Sequence, residues 1–177
     1  TGSNSNTGTS STDAFASIAT AVDFACTNDT IILLDGTYFE DSLEIKKNLV
    51  IGSQYLFDND TNHIAATIID GENNGWIMRW ESGSSWSDTA TNQLVGLTIQ
   101  NGNSTNSSYA GGVRVLNSRV LSIAHVVFRN NQNNQNVGGA LWTESSSRIG
   151  LKNVVFDGNS STSNGSAWYA HYSYSYG

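Results

Sequence analysis

Short apolar clusters, split by Gly, Asn, Asp and Ser, recur along most of the chain. They fall at 30–34, 43–45, 49–51, 67–69, 76–80 and 94–99, then at 113–116, 120–123, 126–128, 140–143, 149–151 and 154–156. Aliphatic and β-branched runs of this length, bounded by turn formers, predict very short β-strands. One stretch breaks the pattern. In residues 13–26, Phe15, Ile18, Ala21, Val22 and Ala25 recur at helical spacing, which predicts an amphipathic α-helix. Thr12 or Asp13 would cap its start, and Asn28-Asp29 would end it. Residues 1–12, TGSNSNTGTSST, hold no apolar residue and read as an extended polar arm or linker. Ordering such a segment costs about 1–2 kcal/mol of backbone entropy per residue. With no hydrophobic anchor, it must recover that cost through hydrogen bonds to its own chain or to a neighbour.

The second half repeats itself. Gly111-Gly112-Val113 recurs as Gly138-Gly139-Ala140 and, weakened, as Gly165-Ser166-Ala167. Ser118-Arg119-Val120 matches Ser147-Arg148-Ile149, and Val126-Val127-Phe128 matches Val154-Val155-Phe156. Asn131 and Asn159 each follow the last Phe by three, Trp142 matches Tyr169, and His125 matches Asn153. The segment Gly96-Leu97-Thr98-Ile99 is a degenerate earlier copy. A unit of this size cannot close a core alone. Stacked units bury their inward residues on each other and pair through parallel ladders spaced about 4.8 Å apart. Asparagines at equivalent turns can then form side-chain amide ladders. The expectation is an all-β, right-handed parallel β-helix over 27–177, with residues 13–26 as an N-terminal capping helix.

Several further segments carry a family resemblance. They are the helix ending in Ala21-Val22-Asp23-Phe24-Ala25, then Asp29-Thr30-Ile31-Ile32-Leu33, Asp35-Gly36-Thr37-Tyr38 and Leu43-Glu44-Ile45-Lys46-Lys47-Asn48-Leu49. Thr67-Ile68-Ile69-Asp70-Gly71, Gly96-Leu97-Thr98-Ile99-Gln100-Asn101-Gly102 and the Gly-Gly repeats complete them. Over about residues 13–170 the chain resembles right-handed parallel β-helix proteins of the pectate-lyase-like superfamily. It is most similar to secreted bacterial surface proteins of that group. The resemblance implies a helix that caps the first coil, and an extracellular or cell-surface location.

Composition narrows the function classes. The formal net charge is -7, from 8 Lys and Arg against 15 Asp and Glu, which argues against a nucleic-acid partner. No apolar run approaches the ~20 residues of a membrane-spanning helix. The lone cysteine, Cys26, excludes an internal disulfide framework and reads as a small buried residue. The chain shows no signal-peptide pattern, as expected of a processed chain or an excised fragment. The third repeat starts at Gly165 and the sequence stops at Gly177, so an incomplete last coil without a cap is expected. Open ladder edges invite pairing, and end-to-end contacts that do not close would give a filament.

Catalytic chemistry is weakly supported. Glycoside hydrolysis needs two carboxylates about 5–9.5 Å apart, and Asp70, Glu72, Glu144 and Asp157 form no tight cluster in sequence. Lys46, Lys47 and Arg79 are the candidate bases for elimination, though Lys46-Lys47 suits a solvated turn. Arg119 and Arg148 recur with the repeat, which favours a structural place. His63, His125 and His171 are isolated, and no spacing suggests a metal or cofactor.

The aromatics are more suggestive. Trp76, Trp80 and Trp86 crowd together, Trp142 sits on the repeat, and Trp168, Tyr169, Tyr172, Tyr174 and Tyr176 enrich the tail. They could fill corners of the coil, contact a subunit, or stack on sugar rings. Six sequons, at Asn28, Asn59, Asn103, Asn106, Asn159 and Asn164, are candidate glycosylation sites. The leading expectation is a non-catalytic extracellular structural or adhesive β-helix, self-associating end to end or through its N-terminal arm. The alternatives are a polysaccharide lyase or hydrolase fragment and a carbohydrate-binding module.

Overall fold

A computed structural model describes residues 2–81, 92–116, 120–144 and 148–171, without the side chains of Val120 and Arg148. Trp86, Arg119, Tyr172, Tyr174 and Tyr176 lie outside the described residues. The described residues form a parallel β-solenoid of five rungs. The first rung is β1 (Thr30–Leu33), β2 (Gly36–Phe39) and β3 (Leu43–Ile45), and the second is β4 (Val50–Ser53), β5 (Thr67–Asp70) and β6 (Met78–Trp80). From the third rung a fourth strand joins: β7 (Asn92–Val95), β8 (Thr98–Gln100), β9 (Asn103–Ser104) and β10 (Val113–Leu116). The fourth rung is β11 (Val120–Ala124), β12 (Val127–Arg129), β13 (Gln132–Asn133) and β14 (Leu141–Glu144). The fifth is β15 (Arg148–Lys152), β16 (Val155–Asp157), β17 (Ser160–Ser161) and β18 (Trp168–His171). Equivalent strands pair in parallel to give three five-stranded sheets and one three-stranded sheet. The fifth rung thus supplies a strand to every sheet.

Inward residues stack rung on rung. Ile31, Ile51, Leu94 and Ile123 are buried in one column, and Ile69, Ile99 and Phe128 in another. Phe128 stacks on Phe156 with centroids 5.3 Å apart. The expected amide ladder is present. Asn131 is fully buried; its Oδ1 accepts from Gly102 N at 2.9 Å, and its Nδ2 donates to Ile99 O at 3.0 Å. Asn159 continues the ladder one rung on, with its Oδ1 accepting from Asn131 N and its Nδ2 donating to Phe128 O. His125 and Asn153 share a left-handed turn position, with φ of 57° and 52°.

The Gly-Gly repeat has a steric cause. A Cβ on Gly139 would lie 2.3 Å from Ser160 O and 2.4 Å from Ser166 O. One on Gly111 would lie 2.4 Å from Gln132 O and 2.6 Å from Gly139 O. The register differs by one residue from the sequence match. Val113 pairs with Leu141, so Gly111 lies opposite Gly139, and Gly138 is the preceding left-handed turn residue with φ of 73°. Likewise Leu121, not Val120, pairs with Ile149. A slip of one residue would turn every side chain of a strand to the other face, and the buried Leu121 and Ile123 fix which face is inward.

The N-terminal end departs further from expectation. The α-helix, α1, spans Ile18–Phe24 rather than 13–26. Residues 2–12 are not an extended arm, because they fold back onto residues 13–17. Ser3 N and Asn6 Nδ2 donate to Ala14 O, and Asn4 Oδ1 accepts from Ala16 N and Ser17 N. Those bonds occupy the backbone groups a longer helix would need. Ser17, not Thr12 or Asp13, therefore caps α1, accepting from Thr20 N at 3.3 Å. Ile18 and Val22 cover the core above Leu33 and Leu43. Glu40 accepts from Ile18 N at the start of α1, and Lys47 Nζ reaches Val22 O, Asp23 O and Ala25 O at its end. Both charges suit the helix dipole. Cys26 is exposed, contrary to expectation, because it follows α1 on the solvent side and its N–H turns to Asp29 Oδ2. Two helices were unforeseen, α2 (Tyr55–Asp58) and α3 (Asn62–Ala66), both in the insertion between β4 and β5.

Candidate functional site

The third sheet, β3-β6-β10-β14-β18, carries most of the chemistry. Alternation along each strand sends every second residue outward. Register then places Glu44, Arg79, Arg114, Trp142 and Tyr169 in one outward column across five strands. Two loop residues complete it. Trp76 stacks on Tyr109 with centroids 4.4 Å apart and planes 11° from parallel. The guanidinium carbons of Arg79 and Arg114 lie 5.9 and 5.8 Å from the Tyr109 centroid. Arg114 also lies 4.5 Å over Trp142, Trp142 meets Tyr169 edge-on at 6.0 Å, and Tyr169 stacks on His171 at 6.3 Å. Rings and guanidinium groups thus alternate in one seam along the solenoid axis.

Like charges on adjacent strands would repel. Carboxylates offset this. Arg79 pairs with Glu81 at 2.7 Å and Glu44 at 3.5 Å, and Arg114 pairs with Glu144 at 2.5 Å. Lys46 holds Glu44 from the other side, and this hydrogen bond is the main reason the Glu44 carboxyl titrates below its ordinary value. The Arg114–Glu144 pair is mostly shielded from water, where each cation–π contact is worth roughly 0.5–2 kcal/mol.

The aromatic candidates have distinct fates. Trp76, Trp142 and Tyr169 meet in the seam, although Trp142 is only 7 % exposed. Trp80 is fully buried in the core, because its place on β6 points inward with Ile45 and Val115. It has no surface to offer a ligand or subunit. Trp168 also points inward, but on the last described rung it is 36 % exposed, and its Nε1 donates to Thr143 Oγ1 at 3.1 Å. Sequence reasoning missed Tyr109 and Arg114. Arg114 was readable from Val113-Arg114-Val115, whose alternation forces it outward; Tyr109 sits in a polar loop and carried no signal.

The candidate acids and bases are spent elsewhere. Asp70 accepts from Gln100 Nε2, Asn101 Nδ2 and Glu72 N. Burial raises its pKa, but these donors outweigh burial and leave it below the ordinary carboxyl value. Glu72 sits exposed in a left-handed turn, and Asp157 pairs with Arg129 at 3.3 Å. Lys47 caps α1 as described. His125 packs on Tyr55 with centroids 4.6 Å apart and planes tilted by 33°. His63 is not isolated: Nδ1 meets Asp35 at 2.7 Å and Nε2 meets Asp58 at 3.1 Å. Its pKa is raised, chiefly by the Asp35 hydrogen bond. Among the described residues no group of His, Cys, Asp and Glu could hold a metal ion, and no helix could cross a membrane.

The sequons differ in availability. Asn28, Asn59, Asn106 and Asn164 are exposed. Asn103 Nδ2 donates to Asn73 O, and the amide of Asn159 belongs to the ladder. No protein-family model, curated protein or solved structure matches the chain.

Proposed function

We propose that this chain is a non-catalytic structural or adhesive β-helix of the cell exterior, related to the pectate-lyase-like surface proteins its segments resemble. The observation that carries this reading is the third-sheet seam. Its arginines and rings, the groups best suited to hold a sugar, stack on each other and pair with Glu44, Glu81 and Glu144. The seam therefore acts as a brace along the solenoid. Association would act on the last described rung, where Ile149, Leu151, Val154 and Phe156 are only half-buried and Val155 is 52 % exposed. The N-terminal segment supports association less, since its hydrogen bonds are made within its own chain.

A second reading, a carbohydrate-binding module, rests on Trp76, which is half-buried where it stacks on Tyr109. Titrating tryptophan fluorescence with neutral and acidic polysaccharides separates the readings. The structural reading expects no saturable change. Saturable quenching that disappears in Trp76→Ala would replace it with the carbohydrate-binding reading. Release of reducing or unsaturated sugar would replace both with an enzyme.

A further inference from the structure

Three Asn-Gly pairs occur, at Asn74-Gly75, Asn101-Gly102 and Asn164-Gly165. This dipeptide is chemically labile. The glycine amide nitrogen attacks the asparagine side-chain carbonyl, ammonia leaves, and a five-membered succinimide forms. Water then opens the ring at either carbonyl, giving aspartate or isoaspartate. The step needs a glycine N–H free of other bonds, a side-chain amide free to turn, and access for water.

The fold treats the three pairs differently. At Asn101-Gly102 both reacting groups are held. Asn101 Nδ2 donates to both oxygens of Asp70, at 3.1 and 3.0 Å, and Gly102 N donates to Asn131 Oδ1 at 2.9 Å. Gly102 is also buried. Asn74 and Asn164 are exposed, and among the described residues neither side-chain amide nor the N–H of Gly75 or Gly165 has a hydrogen-bond partner. Gly75 is the least crowded of the three glycines: the nearest atom to an added Cβ is Asp41 Cβ at 4.0 Å.

We infer that Asn74 and Asn164 are sites of spontaneous succinimide formation in the folded protein, and that the amide ladder protects Asn101. Each conversion adds a negative charge. Isoaspartate also inserts a methylene into the main chain. At position 74 that happens two residues before Trp76, in a turn whose Gly75 O accepts from Asn103 N at 2.7 Å. At position 164 it alters the carbonyl that accepts from Gly138 N. The two sites therefore make a clock whose hands are the Trp76 turn beside the seam and the last described rung.

The test is ageing at mildly alkaline pH, followed by peptide mapping with mass spectrometry. The folded chain, a urea-unfolded sample and folded Gly75→Ala are compared. In urea all three pairs should convert at similar rates. In the folded chain Asn101 should lag by at least roughly ten-fold, the protection that about 1.4 kcal/mol of local opening cost gives. Gly75→Ala should slow conversion at Asn74 and leave Asn164 unchanged. Conversion of Asn101 as fast as the other two in the folded chain would overturn the inference. So would the absence of conversion at Asn74 and Asn164 while the urea sample reacts.

Discussion

Gly139 and Asn131 show how single residues set the cross-section of the solenoid. Gly139 has no room for a methyl group, because two carbonyl oxygens already sit within 2.4 Å of where it would go. Both belong to the backbone, so no rotamer change relieves the clash. Gly139→Ala should therefore destabilise the fold by about 1–3 kcal/mol or more, read as a lower midpoint in urea unfolding. Asn131 acts through satisfaction of buried polar groups rather than through space. The amide ladder was legible before the structure, because the repeat sets Asn131 and Asn159 at equivalent points of successive rungs; the steric role of Gly139 was not, because only the register brings Ser160 O and Ser166 O beside it. The exposure of Cys26 was not legible, and the expected burial is wrong. Its exposure depends on where α1 stops, and there Lys47 Nζ holds Val22 O, Asp23 O and Ala25 O while Asp29 Oδ2 takes the Cys26 N–H.

At the scale of elements, the 54–66 insertion is the clearest gap in the sequence reading. Each helix there is a single turn or little more, too short for a periodic pattern. Tertiary contacts hold it: Leu56 lies over Gly52, and His63 bridges Asp35, in the β1–β2 turn, to Asp58 on α2. Asp60 also faces this corner through its carbonyl, which accepts from His63 N, and Thr67 Oγ1 donates to Asp35. Because the folded-state pKa of His63 is raised, its contribution is fully present below the unfolded value, about 6.5. It is lost as pH rises through the folded pKa. At the acid end, the lowered pKa of Asp58, set mainly by Asp60 N, means its share is lost as pH falls through that value. Thermal melts should therefore separate the native chain from His63→Gln near about pH 5.5 and bring them together near about pH 8. A gap that widens with rising pH would contradict this assignment. The repeat strands were placed correctly, yet their register was read one residue out at Gly111 and Val120. The Gly-Gly pairs lie in bends before β10 and β14, where a one-residue offset costs the sequence match nothing, whereas the buried aliphatics set the pairing.

The described residues form a stack whose first rung is covered by a helix, and none of them covers the last described rung. Helix α1, fastened by Glu40 and Lys47, lies over the first rung. Trp168 and the half-buried Phe156 lie at the other end. The β-solenoid was legible from the repeat alone. The seam was legible only in part, because Trp76, Tyr109, Arg114 and Trp142 come from three different rungs and meet only through the register. If the seam is a brace and the last described rung a contact surface, the protein works by joining rather than by turnover. Electron microscopy of the native, unconcentrated protein tests that most directly. Particles joined end to end, with a regular axial repeat, are the predicted result. A uniform field of single particles would contradict the structural account and return the Trp76 face to the search for a glycan.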